Sequence, residues 1–146
     1  MYDNILIPVD GSEVSNLAAE QGFLLASKLG SKVTLLYALD IAVLAIPDPE
    51  AAMANVEVMR EAFREHADKL MTALKQKAAS HGVQPETLVK EGDVHDEIIS
   101  LAKEKGVDLI VMGTHGRRGL NRLLLGSVAE SVARRAHCAV LLIRPV

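Results

Sequence analysis

Apolar residues follow two rhythms along this chain. Short apolar-rich runs at Asn4–Val9, Lys32–Leu39, Thr87–Lys90, Val107–Met112 and Ala139–Arg144 predict strands. The segments ILI-V, VTLLYAL, DLIVM and AVLLI lack polar–apolar alternation, as strands covered on both faces do. Between them, apolar positions recur every three or four residues and predict helices. Leu17, Ala18, Phe23 to Leu25 and Leu29 mark the first helix, stopped by Gly30. Ala52, Val56, Met59, Phe63, Ala67, Leu70 and Leu74 mark a long one from about Glu50 to Ser80, ended by His81-Gly82. A third runs from Asp93 to Lys105 with Gly106 as its C-cap, and a fourth over Ser127–His137. Strands that alternate with helices give an α/β fold: a parallel sheet with helices on both faces. Pro8 suits such a strand only because it stands at the carboxyl end, where pairing can stop.

In a doubly wound sheet, ligands bind beyond the carboxyl ends of the strands, where the strand order reverses. Asp10 and Gly113 both lie just past such ends. After Met112 the chain reads Gly113-Thr-His-Gly-Arg-Arg-Gly-Leu-Asn-Arg-Leu-Leu-Leu-Gly126-Ser127 and enters the fourth helix. A strand that empties into a glycine-rich loop and then a helix is a phosphate-holding device. Glycines let backbone N–H groups approach the anion, and the helix N-terminus adds its dipole. The spacing is neither Walker A nor the Rossmann Gly-x-Gly-x-x-Gly.

At 146 residues the chain predicts one domain, 1–146, able to bury about two thirds of its unfolded surface. A net charge of −3 and only four aromatic residues (two Tyr, two Phe) argue against nucleic-acid binding. The lone Cys138 cannot form an internal disulfide and fits a reducing compartment. It is expected to be a buried small hydrophobe. The opening MYDNILIPVDG has no basic n-region and reads as a first strand. No run approaches the ~18 apolar residues of a membrane span. A cytoplasmic protein is expected. The histidines lack metal-ligand spacing.

Ile7-Pro8-Val9-Asp10-Gly11-Ser12, Val33-Thr34-Leu35-Leu36, Asp108-Leu-Ile-Val-Met-Gly-Thr-His-Gly116 and Leu125-Gly-Ser-Val-Ala-Glu130 together resemble the universal stress protein family. The resemblance covers essentially the whole chain. Its most specific part is the Gly-2x-Gly-9x-Gly-Ser/Thr signature of the family's ATP-binding branch. It implies a five-stranded sheet in order 3-2-1-4-5, an ATP site between strands one and four, and a homodimer. The family pattern often has Asn where this chain has Val128, so no side-chain contact carries over there.

Gly113, Gly116, Gly126 and Ser127 then form a phosphate cradle, and Val128 is counted among the cofactor-binding residues. The bland reading makes Gly113 and Gly116 turn glycines and Ser127 an N-cap, since Ser127-x-x-Glu130 spells a capping box. By resemblance, Asp10 and the backbone around Ala38 take the nucleoside side; alternatively Asp10 or Ser12 caps the first helix. Pro8, Val9 and Met112 line the pocket. Arg117, with Arg118 and Arg122, either pairs with polyphosphate or forms a solvated basic loop. His115 lies inside the signature without a neighbouring acid to make it a base. Within the Asp40–Glu50 loop, the apolar stretch Ile41–Ile46 either covers the ligand, meets a partner or packs beneath the long helix.

These readings describe an ATP-binding regulatory or stress-signalling module. Mg²⁺ would arrive on the triphosphate. Hydrolysis is slow at most, because neither a water-positioning residue nor a Walker lysine is assignable. Two alternatives stand beside it: a nucleotidyl transferase-like enzyme, disfavoured by the missing HIGH-type motif, and a ligand-free dimerisation protein. Ala139–Ile143 is apolar on both faces yet falls at the sheet edge in the implied order, so it is the expected homodimer seam. A regulated protein partner is also expected, and the sequence does not name it.

Overall fold

The computed structural model describes residues 1–40, 49–115 and 124–145. In chain order the elements are β1 (Asn4–Pro8), α1 (Glu13–Leu29), β2 (Lys32–Leu39), α2 (Pro49–Ser80), β3 (Glu86–Glu91), α3 (Val94–Glu104), β4 (Leu109–Gly113), α4 (Ser127–Arg135) and β5 (Ala139–Ile143). The strands form a single five-stranded sheet in the order β3-β2-β1-β4-β5. Every neighbouring pair is parallel.

The sheet is covered on both faces, which is why its central strands carry no polar alternation. Ile5, Ile7, Val33, Leu35, Tyr37, Leu109 and Val111 pack with α1 and α2 on one side. Leu6, Leu36, Ile110 and Met112 pack with α3 and α4 on the other. All five residues of β4 are buried.

Two elements depart from the expected pattern. The inner stripe of α1 is made of small residues, Ala18, Ala19, Gly22 and Ala26, with Phe23, whereas Leu24 and Leu29 are exposed. The helix lies close on the sheet: a Cβ at Gly22 would overlap Ile7 Cδ1. Ordering by hydrophobicity misplaces such a helix, because close approach selects small side chains over large ones. β4 begins two residues later than expected. Asp108 is taken up by the chain start: its carboxylate accepts the N–H groups of Asp3 and Asn4 at 2.9 and 3.0 Å.

Local chemistry sets the helix ends. Ser12 Oγ accepts the Ser15 N–H at 3.2 Å and starts α1. Gly30, at φ +70°, ends it with its N–H on the Ala26 carbonyl. Asp93 Oδ1 accepts the Asp96 N–H at 3.0 Å and starts α3. Lys105 is the C-cap of α3, and the expected Gly106 follows it at φ +62°.

Cys138 is half-buried against the α3–α4 side of the core rather than fully enclosed. Burial pushes its thiol pKa up, and the Asp108 carboxylate adds to the shift. Among the described residues, no helix is long and apolar enough to cross a membrane.

Candidate functional site

A crevice opens where β1 and β4 part, and Pro8 sets the place. Along a parallel strand the main-chain groups alternate between the two neighbours. Asn4 takes the Asp108 N–H, so Leu6 and Pro8 also face β4, while Val9 turns to β2 and donates to the Leu36 carbonyl at 2.9 Å. Pro8 has no N–H to give β4. Pairing with β4 accordingly ends at Leu6–Ile110, whereas pairing with β2 continues to Pro8–Leu36.

The same alternation aims Ala38. The Leu36 carbonyl serves β1 and the Leu39 carbonyl accepts from Gly92 beyond β3. Ala38 therefore turns its N–H and C=O to the β1 side, two residues past the last β1–β2 pair.

A cavity of about 440 Å³ fills this crevice. Pro8, Val9, Asp10, Ala38, Met112, Gly113, His115, Gly126, Ser127 and Val128 all line it. The sequence-predicted Gly116 and Arg117 lie outside the described residues, as do Arg118 and Arg122 and most of the Asp40–Glu50 loop.

α1, α3 and α4 all begin around this end of the sheet, and their starts differ. Ser12 caps α1 and Asp93 caps α3, each by a side-chain oxygen. The N-cap of α4 is Gly126, at φ −64° and ψ 157°, with no side-chain cap among the described residues. This corrects the expected capping box: Ser127 is the first helical residue, not the cap. Glu130 donates its N–H to the Gly126 carbonyl at 2.9 Å, as an ordinary helical bond. The N–H groups of Ser127, Val128 and Ala129 are thus the leading donors of a helix whose end no side chain closes among the described residues. Gly126 itself is anchored, its N–H on the Thr114 carbonyl at 2.7 Å.

Asp10 is held by α1. Its Oδ1 accepts the Ser12 N–H at 2.9 Å and its own N–H donates to Ser15 Oγ at 3.1 Å. Gly11, at φ +83°, makes the turn between strand and helix. Gly113 has a packing reason to be glycine: a Cβ there would sit 3.0 Å from both methyls of Val14. It is not among the positive-φ glycines, so it is not a turn glycine.

The sequence reading did not reach several walls of the cavity. Tyr37 and Leu39 of β2, Phe63 of α2, Ser15 of α1, and Asp93, Val94, His95 and Ile98 at the head of α3 all line it. Tyr37 Oη lies 3.1 Å from His66 Nδ1, which joins β2 to α2 beneath this wall. Asp93 to His95 could have been found by the logic that singled out Asp10, since they follow the carboxyl end of a third parallel strand.

A wider recess of about 820 Å³ lies at the opposite end of the sheet, lined by residues including Gly30, Lys32, Gly82, Glu86, Glu104 and Lys105. The C-termini of α1, α2 and α3 border it, where helix dipoles disfavour anions. Lys105 there is paired with Glu86 at 2.8 Å. The carboxyl-end cavity, by contrast, is bordered by the N-termini of α1, α3 and α4, where helix dipoles favour anions.

Comparison with known proteins agrees with this architecture. The model of the universal stress protein family matches residues 1–144. Universal stress protein MJ0531 of Methanocaldococcus jannaschii is 38% identical over 145 residues, spanning 99% of this chain and 83% of that protein. Universal stress protein YxiE of Bacillus subtilis is 33% identical, spanning 99% of this chain and 100% of that protein. The solved universal stress protein UspA from Lactobacillus plantarum superposes with a TM-score of 0.89 at 30% identity, over 98% of each chain. The chain belongs to the universal stress protein family.

Proposed function

We propose that the chain is an ATP-binding regulatory module of this family. The observation that carries the reading is the N-terminus of α4, which no side chain among the described residues caps, set in the same cavity as Asp10 and the outward-turned main chain of Ala38. Phosphates would sit on the Ser127, Val128 and Ala129 N–H groups, favoured by the helix dipole. Asp10, fixed by Ser12 and Ser15, would meet the ribose hydroxyls as an acceptor. The base would lie along β2. Gly116 and Arg117 belong to the same proposal through the signature they complete.

Adenine presents an acceptor, N1, beside a donor, the N6 amino group. The N–H and C=O of Ala38 match that pair. Guanine reverses it, with N1–H beside O6. A buried mismatch of this kind costs about 1–3 kcal/mol per unsatisfied group. ATP is expected to bind at least tenfold more tightly than GTP in titration calorimetry, run with and without Mg²⁺. Equal weak heats for the two nucleotides would sink the adenine assignment.

Among the described residues, no group of three His, Cys, Asp or Glu side chains is placed to hold a metal. In this proposal Mg²⁺ comes bound to the triphosphate. With no base or metal cage assigned, the nucleotide acts in this proposal as a ligand that biases shape or partner choice, with slow hydrolysis at most.

We further propose a homodimer through β5. This strand lies at the sheet edge, and its Ala139 and Leu141 are exposed. Ile143 C=O accepts the Thr114 N–H from β4. The main-chain groups of Val140 and Leu142 therefore face away from β4, where a second β5 could pair.

A ligand-free dimerisation protein is the second reading, and Gly113 favours it. The first signature glycine is explained by its contact with Val14 alone.

A further inference from the structure

Thr114 is buried, at 4% exposure, and sits between Gly113 and His115 at the end of β4. Each of its polar groups is engaged. Its N–H donates to the Ile143 carbonyl of β5 at 2.9 Å, and its carbonyl accepts the Gly126 N–H at 2.7 Å. Its Oγ1 lies 2.8 Å from His115 Nδ1 and shares a hydrogen bond with it. One residue thus joins the edge strand, the cap of α4 and an imidazole on the cavity wall.

We infer that Thr114 is a positioning residue of the nucleotide site: its hydroxyl fixes the plane of the His115 ring against the cavity. The inference rests on the nucleotide reading above. The physical reason is the local balance of freedom. An imidazole on a strand-to-loop turn has two soft side-chain torsions, and a 2.8 Å bond from a buried, β-branched neighbour removes most of that freedom. The hydroxyl is itself held, because the Thr114 main chain is tied on both sides. The ring is therefore set before a ligand arrives, which lowers the ordering cost of binding.

Thr114→Val tests this, since valine keeps the branch and the main-chain bonds and removes only the hydroxyl. Thr114→Ser keeps the hydroxyl. Two readouts separate positioning from plain stability. The first is the His115 ring signals in the nucleotide-free protein by NMR, which report torsional averaging and tautomer. The second is ATP affinity by calorimetry. Thr114→Val is expected to move the His115 signals toward averaged values and weaken ATP about five- to tenfold. Thr114→Ser is expected to stay within about twofold of the parent with unchanged signals. Should Thr114→Val lower the melting point too far to be read, Thr114→Ala reads the same two quantities. A folded Val or Ala variant with parental ATP affinity and unmoved His115 signals overturns the inference. A parent that binds no ATP is a different result, and overturns the nucleotide reading instead.

Discussion

Gly126→Asp is expected to abolish ATP binding while leaving the fold at least as stable as the parent. Gly126 occupies the N-cap of α4 with φ −64° and ψ 157°, an extended conformation that any residue can adopt. Aspartate is among the preferred N-cap residues, and its carboxylate would accept the N–H groups of the first turn. Replacing Gly by a capping side chain at such a site gains a few tenths of a kcal/mol. The same carboxylate would occupy the donors proposed for phosphate and place a negative charge against it. Two unit charges about 4 Å apart near a protein surface repel by about 4 kcal/mol. A loss of about a hundredfold or more in affinity follows. Gly126→Asn, a neutral cap, should lose less, because it competes for the donors without repelling the ligand. Thermal melts and calorimetry on the two variants check both halves. A folded Gly126→Asp protein that binds ATP like the parent puts the phosphates elsewhere.

Leu141→Lys is expected to convert the proposed dimer to monomers. The structure selects this position within β5. Leu142 packs on the α3–α4 side of the core and Ile143 on the opposite side, so charge at either would damage the fold itself. Leu141 is 39% exposed. In a twofold seam each copy contributes its Leu141, and burying a leucine is worth about 1.5–3 kcal/mol. Two lysines in their place lose that burial and repel one another, although snorkelling softens the cost. Light scattering behind a sizing column, at tens of micromolar, should give a dimer mass for the parent and a monomer mass for the variant. A monomeric parent would remove β5 as the interface.

The layered fold was legible because it is written in consecutive residues. The two-sided apolar runs announce a buried parallel sheet, and β2 falls on Lys32–Leu39 as expected. Ends were less legible where one side chain serves a distant partner. Asp108 looks like a strand residue until its carboxylate is seen to hold Asp3 and Asn4, about a hundred residues away. The face of α1 was misread for a related reason, since its small-residue stripe answers to Ile7 on the sheet beneath.

The site was legible in the same unequal way. The glycine loop and the Asp10 turn are local patterns that the crossover topology brings to one crevice. The wall made by Tyr37, Phe63 and His95 is assembled from β2, α2 and α3, and no spacing in the sequence links them. Pro8 carries more meaning in the structure than in the sequence. Tolerated at a strand end, it also denies β4 a donor and so opens the crevice. The expected capping box shows the limit of local motifs. Ser127-x-x-Glu130 has the right letters, but the helix begins one residue earlier than that reading requires, on Gly126.

The proposed nucleotide sits in the carboxyl-end cavity with its phosphates on the first turn of α4. Backbone amide NMR of the ¹⁵N-labelled protein, titrated with ATP, tests it most directly. Saturable shifts are expected at the amides of Ser127, Val128 and Ala129, with Ala38 moving in the same titration. Lys32 and Lys105 at the opposite recess should stay still. Shifts confined to that recess, or no saturable shift at the head of α4, would contradict it.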